Sequence, residues 1–307
     1  MSVTALLSPG QGSQKPGMLT PWLELPGAAD RLAVWSQASG LDLVRLGTTA
    51  GADEITDTAV TQPLVVAAAL LAFEEFERVH GLPENLVVAG HSVGELAAAA
   101  VAGVVTADEA VRLAAVRGAA MAEACAQAPT GMSAVLGGDE DAVLERLTEL
   151  GLEAANRNAA GQIVAAGLLT GLADLAENPP EKARIRPLPV AGAFHTRFMA
   201  PARDAVDTAA ASIRPADPTR RLLSNYDGRE VTTGAEVLTK LAAQVTRPVR
   251  WDLCTASLKA AEVSHLVELP PAGTLVGIAK REMRGTPTTA LQTPEDISGL
   301  TLPVSVG

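Results

Sequence analysis

The chain carries Gly90-His91-Ser92-Val93-Gly94-Glu95 between an apolar segment, Leu86-Val87-Val88-Ala89, and an alanine-rich one, Leu96 to Ala100. The pattern reads as strand, sharp turn, helix. A Gly-x-Ser-x-Gly run in that context is a nucleophile elbow. Glycines on either side of Ser92 let the backbone turn tightly without a side-chain clash. The turn lifts the serine hydroxyl clear of the sheet and aims it near a helix N-terminus. Unpaired amide N–H groups gather there and favour negative charge. A serine so placed can attack an acyl carbonyl, and the N–H of Val93 can help hold the oxyanion that forms. The plainer alternative is an ordinary strand-to-helix turn that happens to contain a serine.

The rest of the chain reads as α/β. Val3 to Ser8 is a short buried strand that runs into a glycine-rich loop, Pro9-Gly10-Gln11-Gly12-Ser13-Gln14. Lys15 stands where a dinucleotide fingerprint needs its third glycine, and no Walker lysine follows. Such a loop can still present N–H groups to an anion. Helices are expected over Asp30–Gly40, from Gln62-Pro63 to Val79, and from the cap Thr106-Ala107-Asp108-Glu109 to Ala128. Between Gln127 and Pro189 the character changes to β-α-β-β-α-β: Met132–Leu136, Asp139–Leu150, Leu152–Asn156, Gln162–Ala166, Leu168–Glu177 and Ala183–Leu188. That order is the ferredoxin-like split motif. The expected architecture is a hydrolase-like large α/β subdomain with a parallel-sheet core, residues 1–126 and 190–307, interrupted by a ferredoxin-like small subdomain, residues 127–189. After the insertion, helices are expected over Pro201–Ser212, Gly234–Gln244 and Thr274–Arg284, with strands at Leu222–Asn225 and His265–Leu269. The threonine- and proline-rich tail from Thr286 is expected to end loosely.

Bulk properties narrow the function. The net charge of −11 over 307 residues argues against nucleic-acid binding. An acidic partner would have to be met by a local basic patch. Cys125 and Cys254 lie far apart without metal spacing, which suits a reducing cytoplasm. The N-terminus shows no basic, apolar and small-residue succession of a secretory signal. The longest apolar runs, such as Leu64 to Phe73, are too short to span a bilayer.

A serine nucleophile needs a base that is near in space. His91 is adjacent to Ser92 but should point away, and His80 closes a helix before Gly81. His195 lies in Ala191-Gly192-Ala193-Phe194-His195-Thr196, a small-residue loop at the subdomain junction, where a cleft is expected. It ranks first, and His265, at a strand start, second. No acid between Ser92 and His195 is placed to complete a triad, since Asp139, Asp141 and Asp174 all fall on the inserted helices. A backbone carbonyl can hold the imidazole instead. Arg117, flanked by small apolar residues, is either a surface residue or an internal anion clamp, which a guanidinium forms through two parallel hydrogen bonds. His91 and Glu95 share i,i+4 spacing, but no third ligand makes a metal site.

Together these segments resemble malonyl-CoA:acyl carrier protein transacylases and the acyltransferase domains of polyketide synthases. The motifs that carry the likeness are Pro9 to Gln14, Gly90 to Glu95, Arg117, Asn158 to Gln162, Ala193-Phe194-His195 and Pro248-Val249-Arg250-Trp251, in that order over residues 3 to 297. The resemblance implies Ser92 as nucleophile and His195 as base, with the N–H groups of Gln11 and Val93 as oxyanion hole. Arg117 would bind the malonyl carboxylate, and Gln11 and Asn158 would line the site. A main-chain carbonyl at Arg250 would hold the histidine. Phe194 matches the malonyl-selecting form of its loop, whereas Gly192 stands where malonyl-specific synthase domains often carry histidine. The implied reaction is ping-pong transfer from malonyl-CoA to the phosphopantetheine thiol of a holo acyl carrier protein, for fatty-acid or polyketide synthesis, by a cytoplasmic monomer that needs no metal or other cofactor and meets no nucleic acid or membrane. A serine hydrolase or thioesterase on the same elbow is the competing reading, and a non-catalytic carrier-docking module a third.

Overall fold

The structure is a computed structural model and describes residues 2–302. Eleven strands are found among them: β1 (Thr4–Ser8), β2 (Leu86–Gly90), β3 (Thr130–Gly137), β4 (Glu153–Ala159), β5 (Gln162–Leu168), β6 (Ala183–Pro187), β7 (Arg221–Leu223), β8 (Glu230–Val231), β9 (Val249–Arg250), β10 (His265–Glu268) and β11 (Thr288–Ala290). They form two sheets, ordered β11-β10-β1-β2-β7-β8 and β6-β3-β5-β4-β9. In the first, every pairing is parallel except β7 with β8. In the second, β3, β4, β5 and β6 pair antiparallel and β9 joins the edge of β4 in parallel.

The large sheet is buried on both faces, as parallel sheets require. Its side chains alternate strictly: Leu6, Val88 and Val267 enter one core, and Ala5, Leu7, Val87, Ala89 and Leu266 the other. Small residues on the helices let them come close. A Cβ on Gly118 would stand 2.7 Å from Thr58 O, which draws the helix Ala107–Cys125 onto the helix Thr58–His80. The small sheet has its own core, with Val135, Ile163 and Ala165 packed on Val143, Leu147, Leu172 and Leu175 of its two helices.

Most expected elements are present within a residue or two; four expectations change. The helix around Pro63 starts a turn earlier, at Thr58, because Asp57 caps it by accepting from Ala59 N–H. This helix is long and apolar enough to cross a bilayer, so the reading from short apolar runs was too narrow; 83% of its apolar window is buried inside the fold. The tail is ordered further than expected: β11 pairs with β10, and Pro294–Ser298 forms a helix capped by Thr293 and Asp296, with Ile297 fully buried. The run Arg247 to Trp251 contains β9 and leads into an unanticipated helix, Trp251–Ala260. The expected loose end at residues 303–307 lies outside the described residues.

Candidate active site

β1 and β2 end level, with Ser8 opposite Gly90. The glycine-rich loop and the Ser92 turn therefore leave the sheet side by side, at the carboxyl end of its strands, where open α/β sheets build their sites. The two layers touch closely. A Cβ on Gly10 would lie 2.7 Å from His91 O, one on Gly94 would meet Ser8 O and lie 2.6 Å from Pro9 O, and one on Gly90 would fall on the Gly94 carbonyl. Ser92 itself has φ of 53°, in the left-handed region. That conformation costs a non-glycine residue about 1–3 kcal/mol. His91, Gly94 and Glu95 each donate their N–H to a main-chain carbonyl, and Ser92 N–H donates to Asn225 Oδ1. In this run Val93 N–H is the donor without an acceptor among the described residues.

Ser92 Oγ lies 2.8 Å from His195 Nε2. The other ring nitrogen, Nδ1, donates to Gln244 O at 2.9 Å. A carbonyl can only accept, so the proton sits on Nδ1 and Nε2 is left to take the serine proton. His195 is 3% exposed. Burial, and then the charge of Arg117, push its pKa down to about 3, keeping the ring neutral. The carbonyl partner corrects an expectation: it belongs to Gln244, not Arg250. Gln244 ends the helix Gly234–Gln244, where last-turn carbonyls have no intrahelical donor. Arg250 sits in β9, donates its N–H to Asn225 O and pairs its side chain with Asp252.

Arg117 is internal, with 2% exposure. Its Nη1 donates to Gln62 Oε1 at 2.6 Å and its Nη2 to Gln244 Oε1 at 2.9 Å and Ser92 Oγ at 3.2 Å. Burial lowers its pKa to about 10, so it stays cationic at neutral pH. Glu95, also buried, binds Gln244 Nε2 and Asn225 N–H, and burial raises its pKa to about 7.

A cavity of about 250 Å³ opens onto Ser92, Arg117 and His195. Gln11, Asn158 and Phe194 line it, so the structure brings together all the side chains singled out for substrate binding. Met132, Ala134 and Val164 of the small sheet face Leu275 and Ile278 of the helix Thr274–Glu282 across it. His91 donates from Nε2 to Asn158 Oδ1 at 2.9 Å. The remaining histidines are elsewhere: His265 bonds Thr289 Oγ1 and His80 bonds Ile297 O. Sequence reading missed Gln62, Gln244 and Asn225. Gln62 had a signal, a long amide side chain entering an apolar helix; the other two reach the site from over a hundred residues beyond Ser92.

The family described as acyl transferase domain matches residues 6–295. The chain belongs to the acyl transferase family. It is 64% identical over 297 residues to the Malonyl CoA-acyl carrier protein transacylase of Mycobacterium tuberculosis (strain ATCC 25618 / H37Rv), covering 96% of this chain and 98% of that one. The crystal structure of MCAT from Mycobacterium tuberculosis superposes with a TM-score of 0.93 at 64% identity, over 96% of this chain and 98% of the other. A type II PKS acyl-carrier protein in complex with its malonyl-transacylase supplies a further match, with TM-score 0.90 at 28% identity over 97% and 98% of the two chains.

Proposed function

We propose that this enzyme, a malonyl-CoA:acyl carrier protein transacylase, works by a ping-pong route through a malonyl ester of Ser92. It transfers malonyl from coenzyme A to the thiol of an acyl carrier protein. Ser92 Oγ attacks the thioester carbon while His195 Nε2 takes its proton. The carbonyl oxygen, now negative, is held by the N–H groups of Gln11 and Val93. Collapse breaks the C–S bond, and the leaving thiolate recovers the proton from His195. In the second half the carrier's thiol gives its proton to His195, attacks the ester and displaces Ser92 Oγ, which takes the proton back. Neither half needs a metal or other cofactor.

The observation that carries this reading is the Ser92 Oγ to His195 Nε2 contact of 2.8 Å with the tautomer fixed by Gln244 O. Arg117 clamps the distal carboxylate, Asn158 and Gln11 orient the acyl chain, and Phe194 closes its wall. A side chain at Gly192 would have to displace Cys125, since a Cβ there would lie 2.5 Å from Cys125 Sγ. We read residues 127–189 as a ferredoxin-like subdomain inserted into a hydrolase-like one, 1–126 and 190–307, with β9 lent back to the inserted sheet, and the enzyme as a cytoplasmic monomer.

Intact-mass measurement with malonyl-CoA and no carrier tests the mechanism. A malonyl adduct should form on the parent and be absent from Ser92→Ala; an adduct on that variant would remove Ser92 as nucleophile. Hydrolysis of malonyl-CoA outpacing transfer to a holo carrier would favour the hydrolase reading instead.

A further inference from the structure

β2 and β7 run parallel, with Val87 opposite Arg221 and Val88 opposite Leu222. β7 stops at Leu223, whereas β2 continues to Gly90 and turns at Ser92. In a parallel ladder the N–H and C=O of one residue bond the carbonyl of residue i−1 and the N–H of residue i+1 on its neighbour. For His91 those groups are Gly90 O and Ser92 N–H. Both are met by one side chain: Asn225 Nδ2 donates to Gly90 O at 2.7 Å, and Asn225 Oδ1 accepts from Ser92 N–H at 2.8 Å. Asn225 is fully buried. Its main chain is fixed too, donating to Glu95 Oε1 at 2.7 Å and accepting from Arg250 N–H at 2.9 Å. The amide has no alternative flip, because Gly90 O can only accept and Ser92 N–H can only donate.

We infer that Asn225 is a positioning residue for Ser92: its side-chain amide replaces the missing rung of the β2–β7 ladder and holds the nucleophile in its left-handed conformation. This rests on Ser92 being the nucleophile. The φ of Ser92 sets where Oγ stands relative to His195 and Val93 N–H. Without the amide, one buried and one part-buried main-chain group would lose their partners beside a residue held in the left-handed region.

The decisive variant is Asn225→Asp. Its near oxygen can still accept from Ser92 N–H, but as a carboxylate its other oxygen repels Gly90 O. Once protonated, that oxygen donates to Gly90 O and the pair is restored. The titratable groups facing position 225 are Glu95, from the helix after the elbow, and Cys254, from the helix Trp251–Ala260, whose Sγ is 3.6 Å from Nδ2. Burial raises the Glu95 pKa to about 7, inside this pH range, and holds the Cys254 thiol neutral; the charges of Arg117 and Lys240 act on Glu95, and Gln244, which takes a hydrogen bond from Arg117, donates from Nε2 to Asn225 Oδ1 at 3.4 Å. Formation of the Ser92 malonyl adduct should be followed in a single turnover from pH 8 to 5.5. A displaced nucleophile costs about 10²-fold, so at pH 8 the variant should be about that much slower, with half-saturation by malonyl-CoA changed less than about twofold because the carboxylate clamp is intact. Lowering the pH should restore roughly tenfold or more of the loss relative to the parent at the same pH, a comparison in which the titration of Glu95, common to both, cancels. A pH profile parallel to the parent's, or a loss confined to half-saturation, would overturn the inference. Asn225→Ala should be slow at every pH; if it does not fold, the aspartate profile decides alone. An adduct on Ser92→Ala in the same assay would overturn the nucleophile reading, and this inference with it.

Discussion

One nitrogen of His195 is committed to Gln244 O and the other faces Ser92. Its pKa near 3 has a signed consequence. An unfolded histidine titrates near 6.5, so the unfolded chain takes up this proton first. Stability from this group is present above about pH 6.5 and is lost as pH falls toward 3. The neutral base persists through that window, so the ring resonances of His195 in the folded enzyme should show no titration near pH 6.5 by NMR; a titration there would mean a solvated ring. His195→Ala should lose about 10²–10⁴-fold in kcat/KM, and His265→Ala, which only bonds Thr289, less than about threefold. Arg117 raises a sharper question because it touches both Ser92 Oγ and, in our reading, the malonyl carboxylate. Two hydrogen bonds to a charged partner are worth about 3–6 kcal/mol, or roughly 10²–10⁴-fold. Arg117→Ala should lose malonyl transfer by that range and retain slow acetyl transfer, and Arg117→Lys should recover little, since a point charge lacks the fork. Equal proportional losses for both thioesters would make Arg117 structural.

The elbow works as an element because three chain segments pack without side chains between them. Gly94→Ala would press a methyl group onto the main chain of Ser8 and Pro9. Overpacking costs about 1–3 kcal/mol when side chains can shift, and backbone cannot shift as readily. The variant should therefore melt several degrees lower, with a proportionally larger fall in acylation than in malonyl-CoA affinity; an unchanged melting temperature would show that the layers can part. Glycine spacing made this element legible in the sequence, as did the Thr106–Glu109 capping box, because both are local. The order of strands in residues 127–189 was legible for the same reason: hydrophobic period switches every few residues. What escaped was non-local. The carbonyl that holds His195 comes from a helix end, a position with no residue preference of its own, whereas the family resemblance pointed to Arg250. β11 and the last helix escaped because a threonine-rich segment reads as loop until a sheet edge and a buried Ile297 give it partners.

At the scale of the whole molecule, a net charge of −11 must admit a carrier protein. Of the basic residues between Lys182 and Arg203, Lys182, Arg197 and Arg203 are paired with Glu181, Glu153 and Asp207. Arg184 and Arg186 are exposed on β6 with no ion pair among the described residues. Across the cavity, Arg281 donates to Gln162 at 2.6 Å, and Lys280 and Arg284 are exposed beside it. Rim charges act mainly on encounter. Reversing Arg184 and Arg186 should raise the carrier's KM about tenfold at low salt and leave acylation by malonyl-CoA unchanged; an unchanged KM would move docking elsewhere. β9 also ties the two sheets to each other. Its two residues pair with Asn156 and Arg157 of the small sheet, while Arg250 N–H holds Asn225 beneath the elbow. Prising the two sheets apart would break those rungs, so the gap between them keeps a constant gauge. Admission would then become a matter of cross-section: a slender linear arm would be threaded to its full length, whereas a bulky acyl donor would be halted at the mouth however well its reactive end fitted.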